Sequence, residues 1–307
     1  MVMAPGSYKT GPARTGIGIS RLRGDVTKQG DALIAPGGSR DRFWPMLMGM
    51  TQDTNPWAEG WPYPFWIAHR GAGKLAPENT LAAFREGVSR GFVMFECDAT
   101  LSADGEAYLL HDATLERTTN GQGVAVEHPW SVLAQLDAGG WHSPVYTGEP
   151  LLRLATLAAW LKDNGCTVNL EIKPGPGDAV RCGEVVANEA ARLWLGAAVQ
   201  PLLSSFEVES LRAAQSAQPD LPRALLLDSW VDNGLELARD LGCVALVVNH
   251  THLDAQRIAA IHAEGLKALT YTVNDSDRAQ AMSAAGLDGL ITDRVDLFGA
   301  AAREQVR

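Results

Sequence analysis

Acidic side chains stand at the ends of two predicted strands, in an arrangement suited to a metal ion. Glu96 and Asp98 lie two positions apart, and so do Glu171 and Lys173, so each pair projects to one face of its strand. Burying three carboxylates together costs on the order of several kcal/mol per charge unless a cation offsets it. Carboxylate oxygens suit Mg²⁺ or Ca²⁺, and the sequence has no ligand-spaced His/Cys set for zinc. We therefore predict one divalent cation, Mg²⁺ or Ca²⁺, held by Glu96, Asp98 and Glu171.

Two histidines at strand ends have the chemistry of an acid–base pair. His69 and His111 carry imidazoles, whose ordinary pKa of ~6.5 lets them accept or donate a proton near neutrality. Arg70 and Lys173 add positive charge for an oxyanion such as phosphate. The sequence contains no P-loop or Cys–His arrangement that would indicate another chemistry. Two imidazoles, a divalent cation and two cationic side chains indicate a site that cleaves a phosphodiester.

Each of these residues also has a purely structural interpretation. A lone Glu-x-Asp pair is often the solvated edge of a strand, and His69 could be a core histidine. Lys173 could pair with Glu171 at the surface, and Gly71 and Gly73 most simply form a turn. Four such strand ends in barrel order favour the functional interpretation, because catalytic groups gather at the carboxyl ends of barrel strands.

Short apolar segments alternate with amphipathic helical segments from Trp61 onward. The predicted strands are 65–69, 93–99, 107–111, 167–173, 201–205, 223–227, 244–248, 267–273 and 288–291. The predicted helices are Thr80–Arg90, Leu154–Asn164, Ala179–Trp194, Val208–Ser216, Asn233–Leu241, Ala255–Glu264 and Asp277–Ala285.

This alternation over about 240 residues predicts an α/β fold, a (β/α)₈ TIM barrel. A doubly wound open sheet is the alternative, but no Gly-rich nucleotide fingerprint follows the first strand. Nine predicted strands for eight barrel places make at least one of them extra. Residues 112–150 show no clear period and are predicted to form a small insertion after the third strand.

A turn rather than a helix connects the second and third predicted strands. Asp104-Gly105 suits a two-residue type I′ hairpin loop. If these two residues form the loop, Asp98 lies opposite His111. The sequence therefore predicts a carboxylate beside an imidazole.

Composition and charge exclude several classes of protein. Of the 307 residues 46% are apolar and 20% charged, and no apolar run approaches the ~18 residues of a membrane span. The 26 basic and 36 acidic residues give a net charge of −10, which argues against nucleic-acid binding by bulk charge. Well-separated cysteines indicate reduced thiols in a cytoplasmic protein. They are Cys97, Cys166, Cys182 and Cys243.

Residues 1–60 differ in composition from the rest of the chain. They are basic and rich in Gly and Pro, and they lack the apolar run of ~7–15 residues that a secretory signal has. This favours a disordered N-terminal extension, or a start assigned too far upstream with Met46, Met48 or Met50 as the true one. A flexible targeting or partner-binding arm is the alternative. The barrel is predicted to span residues 61–300.

The candidate residues belong to short motifs that resemble those of a known family. In chain order the motifs are His69-Arg70-Gly71, Pro77-Glu78-Asn79-Thr80, Glu96-Cys97-Asp98, His111-Asp112, Glu171-Ile172-Lys173, Leu203-Ser204-Ser205-Phe206, Tyr271-Thr272-Val273-Asn274 and Gly289-Leu290-Ile291-Thr292-Asp293. Their order and spacing resemble the glycerophosphodiester phosphodiesterase family, from about Trp61 to Phe298, and its cytoplasmic bacterial branch in particular. The combined set is specific, whereas no single motif is.

The resemblance implies a fold, a reaction and residue roles. It implies a phospholipase-C-like (β/α)₈ barrel that hydrolyses glycerophosphodiesters to sn-glycerol 3-phosphate and an alcohol. The glycerol hydroxyl of the substrate would be the nucleophile, and water would open the resulting cyclic phosphate. The residues that match the family's metal ligands, acid–base histidines and phosphate contacts are, respectively, Glu96, Asp98 and Glu171; His69 and His111; Arg70 and Lys173.

The family pattern gives weaker indications for other residues. Tyr271 stands where many members have Trp, in the wall beside the glycerol or the leaving group, which leaves the alcohol preference open. Phe206 is expected to pack against the glycerol carbons or to be a strand-end core aromatic. Glu78 is expected to orient Arg70 or a histidine, or to cap the following helix. The residues interpreted as turn and cap positions rather than ligands are Asn274 and Asp293.

Two other functions are compatible with the sequence. A lysophospholipid substrate would require an apolar entrance, for which Trp57, Trp61 and Trp66 are the candidates, although we expect them to pack under the barrel. A non-catalytic binding protein for glycerol phosphates is the second alternative, and retention of both histidines and all three carboxylates argues against it. The expected partner is a small-molecule diester, with no nucleic acid and no membrane span, and the oligomeric state is left open.

Overall fold

The computed structural model describes residues 60–305, so the predicted N-terminal extension lies outside the described residues up to position 59. The strands are β1 (Trp66–Ala68), β2 (Met94–Leu101), β3 (Ala107–Leu109), β4 (Thr167–Ile172), β5 (Leu202–Ser205), β6 (Arg223–Leu227), β7 (Ala245–Asn249), β8 (Lys267–Tyr271) and β9 (Gly289–Thr292). All but β3 are parallel, in the order β1-β9-β8-β7-β6-β5-β4-β2. Pairing of β1 with both β9 and β2 closes the barrel, so the barrel prediction is confirmed and the open-sheet alternative is wrong.

Helices cover the outside of this eight-stranded barrel. Each of the seven predicted helices is observed, with ends that differ by no more than one residue, and α2 and α9 are additional. The helices are α1 (Leu81–Arg90), α2 (Trp130–Leu133), α3 (Leu154–Asp163), α4 (Ala179–Leu193), α5 (Val208–Ala217), α6 (Gly234–Asp240), α7 (Ala255–Ala263), α8 (Ser276–Ala284) and α9 (Val295–Gln305). Within residues 60–305, no helix combines the length and apolar composition that crossing a membrane requires.

The extra strand is β3, which pairs antiparallel with β2. The register of β3 differs by one residue from the prediction. Leu110, and not His111, lies opposite Asp98, and its N–H donates to the C=O of Asp98 at 3.0 Å. The loop consists of the three residues 103–105, with Gly105 at a φ of 87°, rather than of two residues in a type I′ turn. The predicted turn and the predicted pairing of Asp98 with His111 are therefore wrong.

Barrel strands are buried on both faces, which explains why their sequences are almost continuously apolar. In β7, Leu246 and Val248 pack in the layer shared with the helices, whereas Ala245 and Val247 belong to the barrel interior. That interior is apolar at the amino ends of the strands, with Tyr63, Ile67, Met94, Leu202, Ala224 and Leu269 among its members. Polar side chains replace apolar ones on the inward face only toward the carboxyl ends, and this is where a site can form.

The segment between β3 and α3 contains the predicted small insertion. It includes α2 and two 3₁₀ turns, at Ala125–Glu127 and Pro144–Tyr146. Its own small core packs against Tyr108 of β3 and comprises Leu110, Leu115, Ala125, Leu133, Ala138 and Leu151. The segment is therefore a packed layer beside the barrel rather than an open loop.

Candidate active site

The carboxyl ends of the barrel strands surround a cavity of about 380 Å³. Its wall includes eight of the nine residues predicted to form the site: His69, Arg70, Glu96, His111, Glu171, Lys173, Phe206 and Tyr271. The ninth, Asp98, lies beneath the wall, 1% exposed, in contact with both cationic side chains. The structure thus brings all nine residues to one place.

Strand register holds the three carboxylates together. Asp98 of β2 lies beside Glu171 of β4, and Glu96 precedes Asp98 by two residues, so all three project into the barrel. One carboxylate oxygen from each of the three lies within 4.8 Å of the other two. Burial and the neighbouring carboxylates raise the pKa of Glu96 well above its ordinary value and the pKa of Glu171 to about 7. A hard divalent cation among these oxygens would relieve their repulsion, so the donor set fits Mg²⁺ or Ca²⁺.

Two cationic side chains offset the charge of Asp98. The Nε of Arg70 lies 3.4 Å from Oδ2 of Asp98, and the Nζ of Lys173 lies 3.6 Å from Oδ1. Burial alone would raise the pKa of Asp98, but Arg70 and Lys173 lower it below its ordinary value. Lys173 also donates to Glu171 at 3.2 Å. Positive charge is therefore fixed at the cavity wall, where a phosphate could meet it.

The loop after β1 has an unusual backbone that positions Arg70. Arg70 and Asn79 adopt left-handed conformations, with φ of 50° and 60°, which for a non-glycine residue cost about 1–3 kcal/mol each. Hydrogen bonds hold them there: the N–H of Asn79 donates to the C=O of Arg70, and the N–H of Arg70 donates to Glu96. The side chain of Asn79 also donates to Asp98 at 2.8 Å. This loop is therefore tied by hydrogen bonds to two of the three carboxylates.

A partly buried carboxylate orients the first histidine. Nδ1 of His69 lies 2.6 Å from Oδ1 of Asp293, and Nε2 lies 3.7 Å from Glu96. Asn274 donates from Nδ2 to Asp293 and accepts from its backbone N–H. Burial alone would raise the pKa of Asp293, but the hydrogen bond to His69 lowers it. Asp293 and Asn274, interpreted from sequence as turn and cap residues, therefore hold an imidazole in place as well.

The second histidine is held by a chain of ionic contacts. Nδ1 of His111 lies 2.7 Å from Asp112, which Arg117 contacts through Nε at 2.5 Å and Nη2 at 2.9 Å. The same guanidinium donates twice to Glu78 at 2.8 Å. Burial lowers the pKa of His111, although Asp98 and Asp112 oppose this. Sequence reasoning missed Arg117, and the signal available was a lone arginine six residues after His111 in a segment without periodicity.

Glu78 orients the first cationic side chain. It accepts from Nη1 of Arg70 at 2.8 Å as well as from Arg117, and these arginines lower its pKa although burial alone would raise it. The cap of α1 is instead Thr80, whose hydroxyl accepts from the N–H of Ala83. Of the two roles considered for Glu78, the structure therefore shows the orienting one.

Two aromatic rings form another part of the cavity wall. Phe206 follows β5 and Tyr271 ends β8, and their centroids lie 5.7 Å apart at an interplanar angle of 83°. Phe206 is 38% exposed. It is therefore a wall residue of the cavity and not a buried core aromatic.

The fold is a (β/α)₈ barrel, and one cavity at its end gathers two imidazoles, each beside a carboxylate, with clustered acids and two cationic side chains. This arrangement is typical of an enzyme that cleaves phosphodiesters. The model of the "Glycerophosphoryl diester phosphodiesterase family" matches residues 69–297. The chain belongs to this family and is an enzyme of the phosphodiesterase class.

Named relatives and solved structures agree with this assignment. A glycerophosphodiester phosphodiesterase of Caldanaerobacter subterraneus subsp. tengcongensis is 30% identical over 233 residues, 74% of this chain and 93% of that protein. The structure of an Oleispira antarctica phosphodiesterase, in complex with the product sn-glycerol-3-phosphate, is similar with a TM-score of 0.74 at 30% identity, covering 80% of this chain and 99% of that one. A glycerophosphodiester phosphodiesterase from Agrobacterium tumefaciens is similar with a TM-score of 0.66 at 29% identity, covering 78% and 100%.

Proposed function

We propose that the protein hydrolyses glycerophosphodiesters to sn-glycerol 3-phosphate and an alcohol, with one divalent cation, Mg²⁺ or Ca²⁺. The observation that carries the proposal is the gathering, at one cavity, of two oriented imidazoles and two cationic side chains beside three clustered carboxylates. The product bound in the Oleispira antarctica relative is the product proposed here. Glu96, Asp98 and Glu171 would hold the cation, which would supply Lewis-acid polarisation of the phosphate and of a bound hydroxyl.

Phosphate binding and proton transfer are assigned to four other side chains. Arg70 and Lys173 bind the phosphate oxygens and offset the charge that develops on them. Burial lowers the pKa of His111, so its imidazole is neutral near pH 7 and accepts the proton of the glycerol hydroxyl that attacks phosphorus. Asp293 fixes Nδ1 of His69, which leaves Nε2 to donate a proton to the departing alcohol. The histidines exchange these roles when water opens the cyclic phosphate.

The first experiment measures release of glycerol 3-phosphate from glycerophosphocholine and glycerophosphoethanolamine, with Mg²⁺, with Ca²⁺ and with a chelator. We expect release with a divalent cation and none with the chelator. Glycerol phosphate that binds to folded protein without turnover would support the binding-protein alternative. Release of the free alcohol from added lysophospholipids, with no release from either diester, would support the lysophospholipase D alternative.

At Trp61 and Trp66, the two predicted tryptophans that the structure describes, it gives the lysophospholipid alternative no apolar entrance. Trp61 packs edge-on against Tyr63 at the amino end of the barrel, and Trp66 stacks on Phe298 of α9. Trp57 lies outside the described residues. We infer that the protein acts in the cytoplasm, which the four buried, unpaired cysteines support.

A further inference from the structure

The cavity has two chemically different walls. Arg70, Lys173 and the two histidines come from β1, the β3 end and β4, which surround the carboxylate cluster. The other wall comes from the ends of β5, β6 and β8, and it presents Phe206, Asp228 and Tyr271. The mechanism proposed above uses only the first wall.

Neutral groups hold Asp228 in place on the second wall. Its Oδ1 accepts from Nδ2 of Asn249 at 3.1 Å and from the phenol of Tyr271 at 3.3 Å. Among the side chains that the structure describes, no Lys, Arg or His forms an ion pair with it. Asp228 thus differs from Asp98, whose charge two cations offset. It presents an oriented negative charge to the cavity without a cation from the described protein.

Aromatic surface lies next to this carboxylate. Tyr271 contacts Asp228 through its hydroxyl, and the ring of Phe206 meets the ring of Tyr271 edge to face at a centroid distance of 5.7 Å. Phe206 is exposed to the cavity, 38% by surface. Aromatic faces attract cations, including quaternary ammonium groups, within ~6 Å of the ring centre.

We propose that Asp228, Phe206 and Tyr271 form a subsite for a positively charged alcohol, so that the preferred diesters carry a choline-like or ethanolamine-like group. This inference rests on the proposed function. A diester of that class has a negative phosphate and a positive ammonium group. The phosphate would meet Arg70 and Lys173 on the first wall, and the ammonium group would meet Asp228 on the second. The aliphatic part of the alcohol would lie against the two rings.

The same carboxylate could instead accept a hydrogen bond from the glycerol part, which every substrate of the class shares. Charge separates the two cases, because a glycerol hydroxyl is present in neutral and cationic diesters alike. A substitution that removes only the charge of Asp228 would then affect all diesters equally.

The test compares kcat/KM for glycerophosphocholine and glycerophosphoethanolamine with that for the uncharged-headgroup substrate glycerophosphoglycerol. In Asp228→Asn we expect the ratio of cationic to neutral kcat/KM to fall about tenfold, mainly through KM. Phe206→Leu should lower the same ratio. The matched control is Asp232→Asn, which removes an exposed charge four residues away outside the cavity wall and should leave the ratio unchanged.

Other results would overturn the proposal. An equal loss of kcat/KM for all three diesters in Asp228→Asn would assign this wall to the glycerol part of the substrate. Unchanged kcat/KM for all three would show that there is no subsite at Asp228. If the wild type turned over none of the diesters, the proposed function would fail. The subsite would then be tested by saturation-transfer NMR with choline, with signal lost in Asp228→Asn but not in Asp232→Asn as the supporting result and no signal in the wild type as the refuting one.

Discussion

Each histidine of the site has a carboxylate on its Nδ1, but the two carboxylates come from very different places in the chain. Asp112 follows His111 directly, whereas Asp293 lies 224 residues after His69. Both contacts fix the ring and leave Nε2 available to a substrate. The same contact is thus formed once between neighbours in the sequence, His111 and Asp112, and once between distant residues that closure of the barrel brings together, His69 and Asp293.

We expect His69→Ala and His111→Ala each to lower kcat by about 10²- to 10⁴-fold, as removal of a general acid–base does. The measurement is release of glycerol 3-phosphate, with circular dichroism and thermal unfolding to verify the fold. His262→Ala is the matched control, because His262 forms a similar pair with Asp288 at 2.7 Å outside the cavity wall. Near-normal turnover in either site variant would contradict the assignment.

Arg117 is expected to be a positioning residue. Arg117→Ala removes the donors that hold Asp112 and Glu78, and we expect kcat/KM to fall about 10- to 100-fold. Millimolar guanidinium should restore part of the activity of Arg117→Ala. Arg117→Lys should be less active than the wild type, because an ammonium group cannot form paired hydrogen bonds with both carboxylates.

Arg192→Ala is the control for this series, since Arg192 forms a comparable exposed two-pronged pair with Glu189 on α4. It should retain activity and show no response to guanidinium. Loss in Arg117→Ala without any rescue, accompanied by a lowered unfolding temperature, would indicate a structural role alone.

Elements were predictable from the sequence to different degrees. Strand–helix alternation was clear because buried strands are continuously apolar and the helices are amphipathic. The hairpin register was not, because Asp104-Gly105 is equally compatible with a three-residue loop, and one residue more in the loop shifts every pair. Helix α9 was missed as well, and Gly299 in its middle weakens the helical pattern. The contacts of Asp293 and Arg117 depend on tertiary closure, which no local pattern encodes.

Gly299 illustrates the packing that overrides helical propensity. A Cβ at this position would lie 2.5 Å from the backbone oxygen of Arg90, where α9 crosses the end of α1. We expect Gly299→Ala to lower the free energy of unfolding by about 1–3 kcal/mol, despite the better helix propensity of alanine. Urea unfolding measures this. Gly60→Ala, with no atom within 4 Å of the added Cβ, is the control, and equal or higher stability of Gly299→Ala would refute the close approach.

The whole chain is acidic, with a net charge of −10, yet the phosphate group of its proposed substrate is an anion. Arg70 and Lys173 place two positive charges at the cavity wall, where they can attract the phosphate despite the negative net charge. The neighbouring carboxylates stabilise each of these two cations. Burial alone would lower their pKa values, but Asp98 and its neighbours raise them. The attraction for the phosphate therefore comes at short range from these two side chains, because the net charge of the chain has the same sign as the phosphate.

Protons and a divalent cation are expected to compete for the carboxylate cluster. Folding raises the pKa of Glu171 from its ordinary 4.5 to about 7, so the stability from its bound proton is present below about 4.5 and is lost as the pH rises through 7. Cation binding requires the ionised form. The rise in unfolding temperature caused by Mg²⁺ or Ca²⁺ should therefore be larger at about pH 8 than at about pH 6.

Glu171→Gln should flatten this pH dependence, whereas Glu184→Gln, an exposed position on α4, should not. The measurement is thermal unfolding at several pH values with and without saturating cation. A cation effect that is independent of pH in the wild type would exclude protonation of the cluster as its competitor.

Arg117 belongs to the segment between β3 and α3, yet it supports both His111, through Asp112, and Arg70, through Glu78. Replacing this segment with a shorter or foreign loop would remove the contacts of Arg117 with Asp112 and Glu78, and not only surface residues. A successful graft must carry an arginine that reaches Asp112 and Glu78 at once. One side chain thus limits which loops this barrel can accept between β3 and α3.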